Sequence, residues 1–105
     1  VVELAEDKQA DEIVLLDIRR QSTIADYFVI CSAENERQLK AIVEHIDETL
    51  HREFHVDPRI EGEPATGWTV MDYNDIVVHV FSAALREFYQ LERLWRNASP
   101  VVVVQ

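Results

Sequence analysis

The sequence has 105 residues, 48% of them apolar, and sets 20 Asp and Glu against 10 Lys and Arg for a formal charge of −10. A chain of that length makes one domain, and its apolar content separates it from disordered acidic tails, which cannot offset the entropy of ordering. The charge argues against direct binding to a nucleic-acid backbone, which calls for clustered Lys and Arg, and it points to a basic partner. The acidity is uneven, with 18 acids and 7 bases in residues 1–81 against 2 acids and 3 bases in residues 82–105. The single cysteine, Cys31, can form no internal disulfide, so the cytoplasm is the expected compartment. No apolar run is long enough for a transmembrane helix, and a membrane partner is not expected.

Residues 3–10 suit a short helix. Ile13–Ile18 and Asp26–Ser32 are near-continuous apolar runs rich in β-branched and aromatic residues, which predicts strands buried on both faces. Over residues 35–54 the period changes. Leu39, Ile42, Val43, Ile46, Leu50 and Phe54 form one helical stripe, and Asn35 with Gln38 has the form of a capping box. Pro58, Gly62, Pro64 and Gly67 mark an irregular connection with a short strand near residues 59–61.

Trp68–Asp72 and Asp75–Phe81 read as a hairpin turning through Tyr73 and Asn74. Strand alternation puts Thr69, Met71, Ile76, Val78 and Val80 on one face, an ordinary core. The other face carries Trp68, Val70, Asp72, Asp75, Val77, His79 and Phe81, an apolar patch edged by charge of the kind that binds proteins. Ala84–Arg96 follows with a helical stripe of Leu85, Phe88, Leu91 and Trp95, stopped by Pro100. The coarse order predicts an α/β or α+β domain with helices packed on a mixed β-sheet. Residues 1–97 make up the domain, and 98–105 form a C-terminal tail with the apolar run Val101–Gln105.

Few residues suggest chemistry. His51 and His55 lie one helical turn apart, with His45 nearby, but zinc needs three or four converging ligands and surface histidines are the plainer reading. Asp72 and Asp75, with His79 on the same face, could hold a divalent cation; the plainer reading is acids at a turn that await a partner's Lys or Arg. Cys31 sits in an apolar strand, where it acts as a small hydrophobe. With only Gly62 and Gly67 in the chain, no phosphate-cradling loop can be assembled, and no cofactor is expected.

Several blocks in order resemble the ribosomal silencing factor family, also called the Iojap family. They are Asp26–Ser32, Arg37-Gln38 with Ala41-Ile42, Glu61-Gly62, Trp68–Phe81 (WTVMDYNDIVVHVF) and Arg86–Trp95. The resemblance spans residues 3–97 and implies a nucleotidyltransferase-like fold. It implies binding to the large ribosomal subunit through the ribosomal protein numbered fourteen in the universal nomenclature. Such binding blocks joining of the small subunit and lowers translation when nutrients are scarce. It further implies a homodimer when free, and a partner-binding surface at Trp68, Met71, Asp72, Tyr73, Asp75 and Phe81. Asn74, Gln90 and Ala33 stand where the family more often has Gly, Asp and Gly. The Gly-Ser element and Asp-x-Asp pair of a working nucleotidyltransferase are absent from the sequence, so no catalysis is expected. A metal-dependent nucleotidyl-transfer or phosphoester enzyme using Asp72, Asp75 and His79 is the alternative.

Overall fold

In the computed structural model, which describes residues 1–20, 25–89 and 99–104, six strands build one mixed sheet. In chain order these are β1 (Asp11–Asp17), β2 (Tyr27–Ala33), β3 (Arg59–Glu61), β4 (Trp68–Asp72), β5 (Ile76–Ser82) and β6 (Ser99–Val104), arranged in space as β3-β4-β5-β2-β1-β6. Helices α1 (Val2–Asp7), α2 (Glu36–Phe54) and α3 (Ala83–Tyr89) complete the domain, with a 3-10 turn at Pro64–Thr66. Among the described strands only β2 and β5 run parallel, which requires the long crossover that α2 supplies. The expected mixed sheet with packed helices is the observed fold.

The helix predicted from the six-residue stripe forms with its cap in place. Asn35 is extended and its Oδ1 accepts from the Gln38 N–H at 2.8 Å. The return half of the box differs from expectation. Gln38 Oε1 accepts from Glu34 N–H, one residue before the cap, while its Nε2 donates to the carbonyls of Lys8 and Gln9. One side chain thus starts α2 and ties it to the turn after α1. At the other end His55 takes the left-handed conformation and its N–H donates to the His51 carbonyl.

Apolar residues fill both sides of the sheet. Beneath α1 and α2, Ile13, Val29, Cys31, Met71, Val78 and Val80 of the strands meet Leu39, Ile42 and Ile46 of α2. The opposite face holds Leu16, Ile18, Ala25, Ile30, Val77 and Phe81, with Leu85 of α3 packed against them. The hairpin face expected to present an open patch is therefore largely a second core. Val77, His79 and Phe81 are all buried, because side chains of the neighbouring strands (Trp68 and Val70 of β4, Phe28 of β2) and Leu85 of α3 pack on that face. Burial also pushes the Cys31 thiol up to about 12, as suits a core residue.

A second correction concerns the end of the chain. Residues 99–104, assigned above to a tail outside the domain, form β6 and pair antiparallel with β1 from Ile13↔Val104 to Asp17↔Ser99. Pro100 fits there because β6 is an edge strand, where a missing N–H need not interrupt a ladder. The helix expected over Ala84–Arg96 is described as Ala83–Tyr89; Leu91 and Trp95 lie outside the described residues.

Near its start β1 breaks register between Asp11 and Val14, and Glu12 adopts a positive φ of 47°. The Arg86 guanidinium, 8% exposed, reaches this irregularity from α3. It donates to the carbonyls of Asp11 and Glu12 and to Ser32 Oγ at 3.0 Å. Backbone oxygens that a bulge would leave unmatched are thereby satisfied.

Candidate docking surface

The hairpin β4–β5 projects its turn at one end of the sheet. Pairing runs in register from Trp68↔Phe81 to Asp72↔Val77, and Tyr73 N–H donates to the Ile76 carbonyl, so Asn74 and Asp75 form the turn. Asp75 N–H bonds back to the Tyr73 carbonyl around Asn74, whose φ is 73°, as in a γ-turn. The turn is braced from two sides. Asp72 Oδ1 accepts from the Asn74 N–H at 2.8 Å, and the Asp75 carbonyl accepts from the N–H groups of Asp26 and Tyr27. The exposed Asp75 side chain and the half-exposed Asp72 thus stand on a fixed backbone.

Trp68, half-buried, lies on the face opposite α2. Its ring stacks on Phe81 with centroids 4.9 Å apart, and its indole N–H donates to His79 Nδ1 at 3.2 Å. Phe28 of β2 packs against the other side of His79, centroid to centroid 4.9 Å. Burial pulls the imidazole down to about 4, so Nδ1 remains an acceptor at neutral pH. Behind Trp68 runs Gly62 with φ +82°. A Cβ there would collide with the Trp68 carbonyl, so glycine is what lets the strand connection pass this close.

Tyr73 points to the α2 side, where it packs against the first core. Its hydroxyl is buried and has no hydrogen-bond partner among the described residues. Burial first, and then the charges of Asp47 and Asp57, push its ionisation well above the ordinary tyrosine range.

The six residues expected to bind a partner therefore divide. Trp68, Asp72, Tyr73 and Asp75 reach solvent, on two faces and the turn of one hairpin. Met71 and Phe81 do not: they are 0% and 1% exposed. Side-chain alternation foretold this for Met71, and Phe81 is covered by Trp68 itself. Both support the surface from beneath. Phe28 went unnoticed as a support for Trp68, because its place beside His79 depends on the parallel register of β2 with β5. Asp47 and Asp57 were also missed near Tyr73, since only the fold brings them there.

The metal reading finds little here. Asp72 is engaged with the Asn74 N–H, and His79 is buried with Nδ1 taken by the indole. His45 pairs with Asp7 and His51 with Asp57, so the helix histidines do not converge. Among the described residues no group of three His, Cys, Asp or Glu could hold a metal ion.

The family model for ribosomal silencing factor during starvation matches residues 1–105. The chain belongs to that family. A ribosomal silencing factor of Halalkalibacterium halodurans is 36% identical over 100 residues, covering 95% of this chain and 86% of that protein. A mouse relative named mitochondrial assembly of ribosomal large subunit protein 1 is 33% identical over 98 residues, 90% of this chain and 43% of its own length. A solved structure from Chromobacterium violaceum superposes with a TM-score of 0.85 at 30% identity, covering 99% of this chain and 87% of that one. Membership in the ribosomal silencing factor family fixes the fold described above and a ribosome-related role in translation. The family's description names no reaction, and no helix among the described residues is long and apolar enough to cross a membrane.

Proposed function

We propose that this chain binds the large ribosomal subunit in the cytoplasm and, by occupying the face where the small subunit docks, prevents the two from joining. It lowers translation by steric occlusion when nutrients are limiting, without catalysis or cofactor, and is a homodimer when free. The contact is ribosomal protein fourteen of the large subunit, met by Trp68, Asp72, Tyr73 and Asp75, with Met71 and Phe81 beneath them. Family membership supports the ribosome as target, and the mouse relative's name supports the large subunit.

The observation that carries the reading is the braced hairpin end. An aromatic surface at Trp68 and carboxylates at Asp72 and Asp75 are held on backbone whose turn is hydrogen-bonded to β2. Apolar anchoring and desolvated charge pairs at a rigid site are what give an interface affinity and orientation. A basic protein surface fits it, and the remaining acidic charge is repelled by ribosomal RNA, which disfavours wrong sites on the particle.

The test is co-sedimentation with separated ribosomal subunits. Wild-type chain pellets with large subunits only, whereas Trp68→Glu and the fully exposed-site variant Asp75→Lys lose at least ten-fold in affinity. Circular dichroism establishes that both fold. Undiminished pelleting of a folded Asp75→Lys together with a folded Trp68→Glu sinks the interface.

A further inference from the structure

Tyr73, Ile76, Tyr27 and Asp17 form one row across the end of the sheet that carries the hairpin turn. The Tyr73 N–H donates to the Ile76 carbonyl, Ile76 pairs with Tyr27 in the parallel ladder, and Tyr27 pairs with Asp17. Paired residues point to the same face, here the α2 side, and strands about 4.8 Å apart make the row about 14 Å long. All four side chains are half-buried.

Over Tyr27 the row ends in a fixed cation. Arg19 Nε and Nη2 donate to the two carboxylate oxygens of Asp17 at 3.0 and 2.7 Å, and the guanidinium carbon lies 5.3 Å from the Tyr27 ring centroid. A surface arginine ordinarily loses rotamer freedom when it joins an interface. This one is 58% exposed yet already held, along one edge by Asp17 and over one face by Tyr27. A guanidinium carries five N–H donors. Asp17 takes one from Nε and one from Nη2, so both N–H groups of Nη1, on the edge away from the carboxylate, have no acceptor among the described residues. Neither Arg19 nor Tyr27 belongs to the surface assigned above.

We propose that the docking surface continues along this row, and that Arg19 seated on Tyr27 binds a neutral planar acceptor of the partner protein, a backbone carbonyl or a side-chain amide. The proposal rests on the large-subunit reading above and extends its contact. A guanidinium only donates, so what it binds is an oxygen acceptor. Charge chooses among acceptors. Asp17, Asp26 and Asp75 outnumber Arg19 and Arg20 at this corner, and Asp26 and Asp75 are exposed without an ion pair among the described residues. That balance disfavours an RNA phosphate or a carboxylate. A peptide or amide group brings no net charge, accepts from Nη1 and lies flat against the guanidinium. Tyr73, Ile76 and Tyr27 give apolar contact to the residues that lead up to it. The Asp75 carbonyl, bonded to the N–H groups of Asp26 and Tyr27, fixes this corner relative to the turn, so one partner can engage both.

Co-sedimentation with large subunits over a salt series tests the extension. Arg19→Ala lowers affinity about ten-fold, with a salt dependence no shallower than that of wild type. Arg19→Lys remains weakened, because an ammonium has neither a flat face nor a fixed edge of donors. Arg19 is exposed, so circular dichroism stays unchanged in both variants. A shallower salt dependence in Arg19→Ala identifies a phosphate contact and overturns the proposal. Full recovery by Arg19→Lys also overturns it, since charge alone would then suffice. Wild-type pelleting of Arg19→Ala beside a weakened Trp68→Glu overturns the extension and leaves the large-subunit reading standing. A wild-type chain that does not pellet with large subunits overturns both.

Discussion

The indole N–H of Trp68 donates to Nδ1 of His79 at 3.2 Å, a diagonal bond between strands in which Trp68 faces Phe81 and His79 faces Val70. An indole can only donate, so Nδ1 must accept, and the imidazole proton resides on Nε2. Nε2 is buried and finds no partner among the described residues. The half-buried ring of Trp68 is therefore oriented by a histidine that must remain neutral.

Acid should undo this arrangement. In the unfolded chain the imidazole titrates at its ordinary 6.5, and in the fold burial lowers it to about 4. Between those values the unfolded state binds the additional proton, so this contribution to stability is present above 6.5 and is lost as pH falls toward 4. The full loss is about 3 kcal/mol. Urea denaturation of wild type at pH 7.5, 6 and 4.5 should show it, and His79→Phe should lose this part of the pH slope. A variant whose slope matches wild type would assign the acid sensitivity elsewhere.

Arg86 yields a prediction about stability without a pH signature. Its guanidinium serves two carbonyls of the β1 bulge and Ser32 Oγ from a position 8% exposed. Arg86→Met leaves the buried Ser32 Oγ and the two part-buried carbonyls without this donor and should cost about 2 kcal/mol, read as a shift of the urea midpoint at constant m. All three bonds come from one nitrogen, Nη1, so Arg86→Lys, whose ammonium carries three donors on a shorter stem, should recover part of the loss.

Asn74 is the residue with φ 73° at the tip of the hairpin. Glycine carries no Cβ penalty there, while Asn tolerates the left-handed region better than other residues. Asn74→Gly should raise stability by about 0.5 kcal/mol after its larger unfolded-state entropy is counted, and Asn74→Ala should lower it by about 1 kcal/mol. Neither change touches the Asp75 carbonyl that holds the start of β2, so large-subunit binding should be unaltered in the glycine variant.

Local periodicity carried most of the fold. The α2 stripe from Leu39 to Leu50, its Asn35 cap and the alternation of β4 and β5 depend on neighbours a few residues away and appear where the pattern places them, whereas Phe54, the last residue of the expected stripe, is exposed. Long-range pairing was not legible. Nothing local in Ile76–Ser82 says that this strand lies inside the sheet, so Val77, His79 and Phe81 looked like surface when they are core. Four consecutive valines and a proline likewise do not disclose a strand that pairs with residues near the opposite end of the chain. For the docking surface, the residue types came from family resemblance. Geometry then separated those that touch solvent from Met71 and Phe81, which lie beneath.

The pairing of β1 with β6, and the reach of Arg86 into the β1 bulge, set an order of events during synthesis. Residues 11–17 are made well before both groups that complete them. Throughout elongation β1 can pair only with β2, and its outer edge and the carbonyls of Asp11 and Glu12 stay hydrated. Contacts of such wide sequence separation form slowly, because the intervening chain must first be closed into a loop. Closing that flank of the sheet is therefore a late step of folding, and it is complete only when β6 and Arg86 have both reached β1.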